Sequence, residues 1–106
     1  MIILIASKNH MGLNSEVSDD ILDAPYFTLV AKEEGKLQKV KNLENVFQGN
    51  AAVNMADFLR FVKQAAAEKM VVKEPKEPDL KKRLAENGIE LVDGVSGRIA
   101  DILAKL

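Results

Sequence analysis

The chain contains no cysteine, which excludes a disulfide framework, a thiolate zinc site and a cysteine-ligated iron–sulfur cluster. It has one histidine, and a single donor rarely makes a metal site. It also lacks an excess of either charge: 15 basic and 16 acidic residues leave a formal net charge of −1. Such a chain has no long-range field for a polyanion, so nucleic acid is disfavoured as its main partner. No apolar stretch approaches the roughly 18 residues needed to cross a bilayer, so no membrane partner is expected. Met1-Ile2-Ile3-Leu4-Ile5-Ala6 has no basic segment ahead of its short apolar run, and reads as a strand rather than a signal peptide. The expected location is the cytoplasm.

What is present is ordinary globular material. The 106 residues suit one domain spanning 1–106, long enough to bury a core without disulfide or metal. Hydrophobic residues make up 47% and charged residues 29%, unlike a disordered or fibrous chain.

Residues 2–6 are continuously β-branched or aliphatic, the pattern of a strand covered on both faces. From Ser7 to Pro25 the chain is rich in Asn, Ser, Asp and Gly without a period, which predicts a long functional or poorly ordered loop with one helical turn near 19–22. Residues 26–32 and 37–43 read as two strands of a hairpin around the Glu33–Lys36 turn. Gln48, Gly49 and Asn50 punctuate the chain, with Asn50 as N-cap. Ala52, Met55, Leu59, Val62 and Ala66 then recur at helical spacing over 51–69. A short strand at 70–72 precedes a polar connector at 73–77. Pro78 fits the first position of a helix carrying Leu80 and Leu84, which stops at Asn87-Gly88. A fifth strand at 89–92, a Gly94–Gly97 turn and a last helix carrying Ile99, Ile102, Leu103 and Leu106 complete the chain. Strands alternating with helices require parallel crossovers, whereas the hairpin is antiparallel. The expected architecture is therefore α/β, with a mixed five-stranded sheet and helices on its faces.

Ligands of open α/β sheets sit beyond the carboxyl ends of the parallel strands. The loop from Ser7, the connector from Lys73 and the Asp93–Gly97 turn should meet there. Gly94, Ser96 and Gly97 could offer backbone N–H groups to an anion at a helix start; alternatively the glycines only make a tight turn and Ser96 caps the helix. His10, beside Met11, is a metal-competent donor, or an idle exposed residue. Asp19, Asp20 and Asp23 could collect a hard cation, or cap and solvate a short helix. No nucleophile–base pair, P-loop or GxGxxG stretch is present, and no enzyme activity is expected.

Gly12-Leu13-Asn14-Ser15-Glu16-Val17-Ser18, followed by Ala24-Pro25-Tyr26-Phe27, resembles the signature of the dinitrogenase iron–molybdenum cofactor biosynthesis family, the NifX/NifB C-terminal-like domain. In that family a leading strand precedes a Gly-Leu-Asp-Ser-x-Val-Ser stretch, then His-Phe-Gly and an aromatic strand. Gly49-Asn50-Ala51-Ala52, Asn87-Gly88-Ile89 and Gly94-Val95-Ser96-Gly97 continue the likeness in order along the chain. The resemblance implies a ribonuclease-H-like mixed five-stranded sheet, and a protein that binds or carries an iron–molybdenum-type cluster or precursor without cysteine ligation. Two departures stand out. Asp20-Ile21-Leu22 replaces His-Phe-Gly, exchanging a borderline-soft donor for a hard one. Lys73-Glu74-Pro75-Lys76-Glu77-Pro78 replaces a glycine-rich turn.

The candidate ligand residues are thus Ser7, His10, Asp20, Gly94, Ser96 and Gly97, with His10 also the candidate metal ligand. Three readings compete: a cluster-binding accessory protein, a diverged module for a small anion or a protein partner, and a divalent-metal-dependent hydrolase using Asp19, Asp20 and Asp23.

Overall fold

A computed structural model describes residues 1–21, 24–47, 55–75 and 79–106. Expectations for Leu22, Asp23, the Gln48–Asn54 segment with its Asn50 cap, and Lys76-Glu77-Pro78 lie outside the described residues. The sheet is built from β1 (Ile2–Ser7), β2 (Tyr26–Glu33), β3 (Lys36–Glu44), β4 (Lys69–Val71) and β5 (Glu90–Val92). The helices are α1 (Met55–Gln64), α2 (Leu80–Glu86) and α3 (Ile99–Leu103), with a 3-10 turn at Gly12–Asn14.

The spatial order is β3-β2-β1-β4-β5. β1 runs antiparallel to β2 and parallel to β4, and β4 runs parallel to β5, so the mixed five-stranded sheet expected from the alternation is present. β1 occupies its centre, which is why residues 2–6 are apolar without alternation: both faces are covered. Leu4 and Ala6 face a core shared with Phe27, Met70, Val72 and Leu91, closed by Phe58 and Val62 of α1 and Leu80 and Leu84 of α2. Ile3 and Ile5 face the opposite core, with Val17, Val30 and Val71, closed by Ile99, Ile102 and Leu103 of α3. Each large aliphatic side chain buried this way is worth about 1.5–3 kcal/mol. Among the described residues, no helix is long and apolar enough to cross a membrane.

The hairpin turns on two residues, Glu34 and Gly35, both at positive φ (53° and 77°), as the right-handed twist of paired strands demands.

α1 ends at Gln64 rather than continuing to residue 69. Ala66 adopts φ 58°, its N–H donates to the Lys63 carbonyl, and the Ala67 N–H donates to the Val62 carbonyl. This is a Schellman stop with alanine at the left-handed position usually held by glycine. Because Ala carries no stop signal, periodicity alone overruns the boundary. Lys69 consequently belongs to β4.

Candidate ligand-binding rim

The long segment between β1 and β2 is anchored along its length. Ser18 N–H donates to the Ala6 carbonyl, Lys8 N–H to Glu16, Val17 N–H to Gly97, and Ile99 N–H to Ser15. Val17, Ser15 and Ser18 are buried. The Asn42 side chain accepts from Gly12 N–H and donates to the His10 carbonyl. Asn45, also buried, donates to the carbonyls of Ile21 and Ala24 at 2.6 and 2.7 Å. Ala24 N–H donates to the Asp20 carbonyl, and the helical turn expected at 19–22 lies partly outside the described residues.

This anchoring brings the segment to the carboxyl ends of β4 and β5. Past those ends, Lys73 N–H donates to the Ser18 carbonyl and Glu74 N–H to Asp19, while Gly94 N–H donates to Lys73. Three connections are therefore tied to one another by backbone bonds. They enclose an open cleft of about 590 Å³ lined by Asp19, Lys73, Glu74, Pro75, Asp93 and Gly94. Lys73 Nζ lies 3.7 Å from Asp19 Oδ1, both side chains about half exposed. Among the described residues, three carboxylates against one ammonium give the cleft an acidic cast.

Of the residues singled out from sequence, Gly94 lines this cleft, and its N–H is already engaged by Lys73. Ser96 lines a smaller adjacent hollow of about 270 Å³, with Val95, Ile102 and Leu106. It does not cap α3: the N-cap position is Arg98, without a side-chain cap bond. The helix starts only at Ile99, whose N–H is held by Ser15. Gly97 supplies its carbonyl to Val17. Ser7 is fully buried, its hydroxyl bonded to the Ile5 carbonyl and 2.6 Å from the Thr28 hydroxyl. His10 packs its exposed ring against Tyr26, centroids 5.3 Å apart, and does not line the cleft. Asp20 is 2% exposed, whereas its neighbour Asp19 faces the rim. Among the described residues, no three His, Cys, Asp or Glu side chains gather as a metal-binding group.

The strand-end rule named the loops that meet around this cleft, but not the side chains that line it. Glu74 and Asp93 were missed as lining residues because loop side-chain direction carries no sequence period.

The donor set bears directly on a sulfide-rich cluster. Such a cargo is anionic and suits soft thiolate or imidazole donors. Among the described residues, the cleft lining offers hard carboxylate oxygens and net negative charge. The residues present do not fit it.

The sheet order defines a class: a mixed α/β fold on a five-stranded sheet. No family model matches the chain, and no curated protein matches it in sequence. Solved structures do match. PH0822 has a TM-score of 0.80 and 25% identity, over 97% of this chain and 86% of that one. A protein from Thermotoga provisionally described as NifB, of the DUF35 family, has a TM-score of 0.76 and 18% identity, over 97% and 84%. The apo form of the orange protein from Desulfovibrio gigas has a TM-score of 0.77 and 13% identity, over 98% and 84%. The chain thus shares its fold with a NifB-type protein and the orange protein, at low sequence identity.

Proposed function

We propose that the chain is a non-catalytic accessory binding module, a diverged relative of the iron–molybdenum cofactor biosynthesis proteins on a ribonuclease-H-like sheet. Its cleft takes a ligand or partner segment that presents positive charge. The single observation that carries this reading is the lining: among the described residues, the carboxylates of Asp19, Glu74 and Asp93 with one lysine, Lys73. The strand order, with an antiparallel hairpin beside a parallel pair, supports the fold assignment. The likeness to a NifB-type protein supports the ancestry.

A ligand selective for the native state raises the melting temperature, so a thermal-shift panel separates the alternatives. Spermidine should stabilise the protein, molybdate and phosphate should not, and Asp19→Asn with Asp93→Asn should abolish the response. Stabilisation by the oxyanions alone would reverse the reading.

Cluster carriage is the second reading, favoured by the fold shared with a NifB-type protein. Anaerobic reconstitution with iron, sulfide and molybdate tests it. A visible absorption band surviving desalting would restore the cluster as cargo; a colourless protein would leave the acidic cleft to a different ligand.

A further inference from the structure

β3 is the longest strand in the sheet, at nine residues, and stands at one end of the strand order. Among the described residues, no strand pairs with its outer side. A long, accessible edge is a template for another chain, and edge lysines and β-bulges are the usual guards against indiscriminate pairing; β3 has both, its register with β2 shifting between Ala31 and Lys32. Its charge pattern is one-sided. Lys39 and Lys41 lie opposite Ala31 and Leu29, on the sheet face that carries Phe27. Lys36 follows on the same face, opposite Glu33. All three lysines are exposed, and none forms an ion pair among the described residues. The other face of the strand presents Leu37, 45% exposed, then Val40 and Asn42.

This arrangement discriminates among occupants. Antiparallel pairing of β3 with a second copy, centred on Val40, would set Lys39 against Lys41 twice. Like charges directly opposite are destabilising, so self-pairing in this register is opposed. An incoming strand with carboxylates at the same positions meets the lysines instead. Successive side chains on one face recur about every 7 Å, so the acids must alternate with residues that face Leu37 and Val40.

We propose that the outer edge of β3 docks an extended segment of a partner protein in which acidic residues alternate with apolar ones, adding a sixth strand to the sheet. Main-chain bonds along the edge supply affinity, as in strand addition generally, and the alternate side chains supply selectivity. This surface is independent of the acidic cleft and of the function proposed for it.

The test uses a fluorescent nine-residue peptide alternating Glu and Val, and its Lys–Val counterpart, against the whole protein at low salt. The Glu–Val peptide should bind, should slow amide hydrogen exchange at residues 36–44, and should weaken as salt rises. A Lys39→Glu, Lys41→Glu double variant, its fold checked by circular dichroism, should bind that peptide at least tenfold more weakly and gain affinity for the Lys–Val peptide. Any of four results overturns the proposal: no binding of the Glu–Val peptide, equal binding of both peptides, binding without protection of residues 36–44, or preference for a single-stranded oligonucleotide over the acidic peptide.

Discussion

Ala66 and Gly88 occupy the same position in two copies of one motif. Each stands just past a helix at positive φ, 58° and 76°. In each, its own N–H and that of the next residue close on the carbonyls of the last turn: Lys63 and Val62 for the first, Ala85 and Leu84 for the second. The residues after them, Ala67 and Ile89, are buried with Val62 and Leu84 in the same core, the apolar contact that accompanies this stop. An L side chain in the left-handed region costs about 1–2 kcal/mol that glycine avoids. Ala66→Gly should therefore raise stability by about 0.5–1 kcal/mol, after its greater unfolded-state entropy is deducted. Gly88→Ala should lower stability by about 1 kcal/mol; an added Cβ there meets nothing within 4 Å, so the cost is conformational. Urea unfolding of both variants measures the pair, and a destabilised Ala66→Gly would contradict the account.

Asn45 fastens the β1–β2 connection from below. Its amide donates to Ile21 and Ala24 while its oxygen accepts from Phe47 N–H. Each buried partner left unsatisfied costs about 1–3 kcal/mol. Asn45→Ala should lose about 2–4 kcal/mol in a chemical melt. It should also speed hydrogen exchange at residues 17–21, because the connection that forms the cleft wall loses its anchor.

The Ser7 and Thr28 hydroxyls share a bond of 2.6 Å inside the sheet, where β1 and β2 are paired. Ser7→Ala leaves the Thr28 hydroxyl without this partner, and a loss of about 1–2 kcal/mol is expected. Ser7→Ala combined with Thr28→Val should recover much of that loss, since removing both polar groups is close to neutral. The thermal-shift response to spermidine should be the same in the single variant as in the parent. A changed response would return Ser7 to the ligand site.

Lys73 and Asp19 face each other across the cleft at 3.7 Å, both about half exposed. Exposed pairs of this kind contribute about 0–1 kcal/mol, so Lys73→Ala should change stability by less than about 1 kcal/mol. Removing the ammonium leaves three carboxylates lining the cleft. The variant should bind spermidine more tightly than the parent by isothermal titration; weaker binding would mean that Lys73 itself holds the ligand.

Much of the architecture was legible because period and burial act locally. Residues 2–6 are apolar throughout because they are central, the hairpin declares itself at Glu34-Gly35, and Gly88 marks its helix end. The overrun of α1 past Gln64 has an equally local cause, an alanine in a conformation its side chain does not advertise. The candidate site was legible only as three loops. Asp19 and Asp20 are adjacent in sequence and alike in chemistry, yet one faces the cleft and the other is 2% exposed. No pattern in an aperiodic loop distinguishes them.

The sequence by itself determined the order of strands and helices, the absence of any thiolate, and the general rim where a ligand would sit, because each follows from short-range periodicity or from composition. Only the tertiary structure decided which side chains reach that rim. It turned Ser7 inward to Thr28, placed His10 against Tyr26, engaged Gly94 N–H with Lys73, and lined one cleft with Asp19, Lys73, Glu74 and Asp93. The physical reason is that backbone groups brought out of water must find partners. In this chain the long connection satisfies its own by bonding to Ala6, Lys73, Glu74, Gly97 and Ile99, contacts far apart in sequence that set where every side chain between them points.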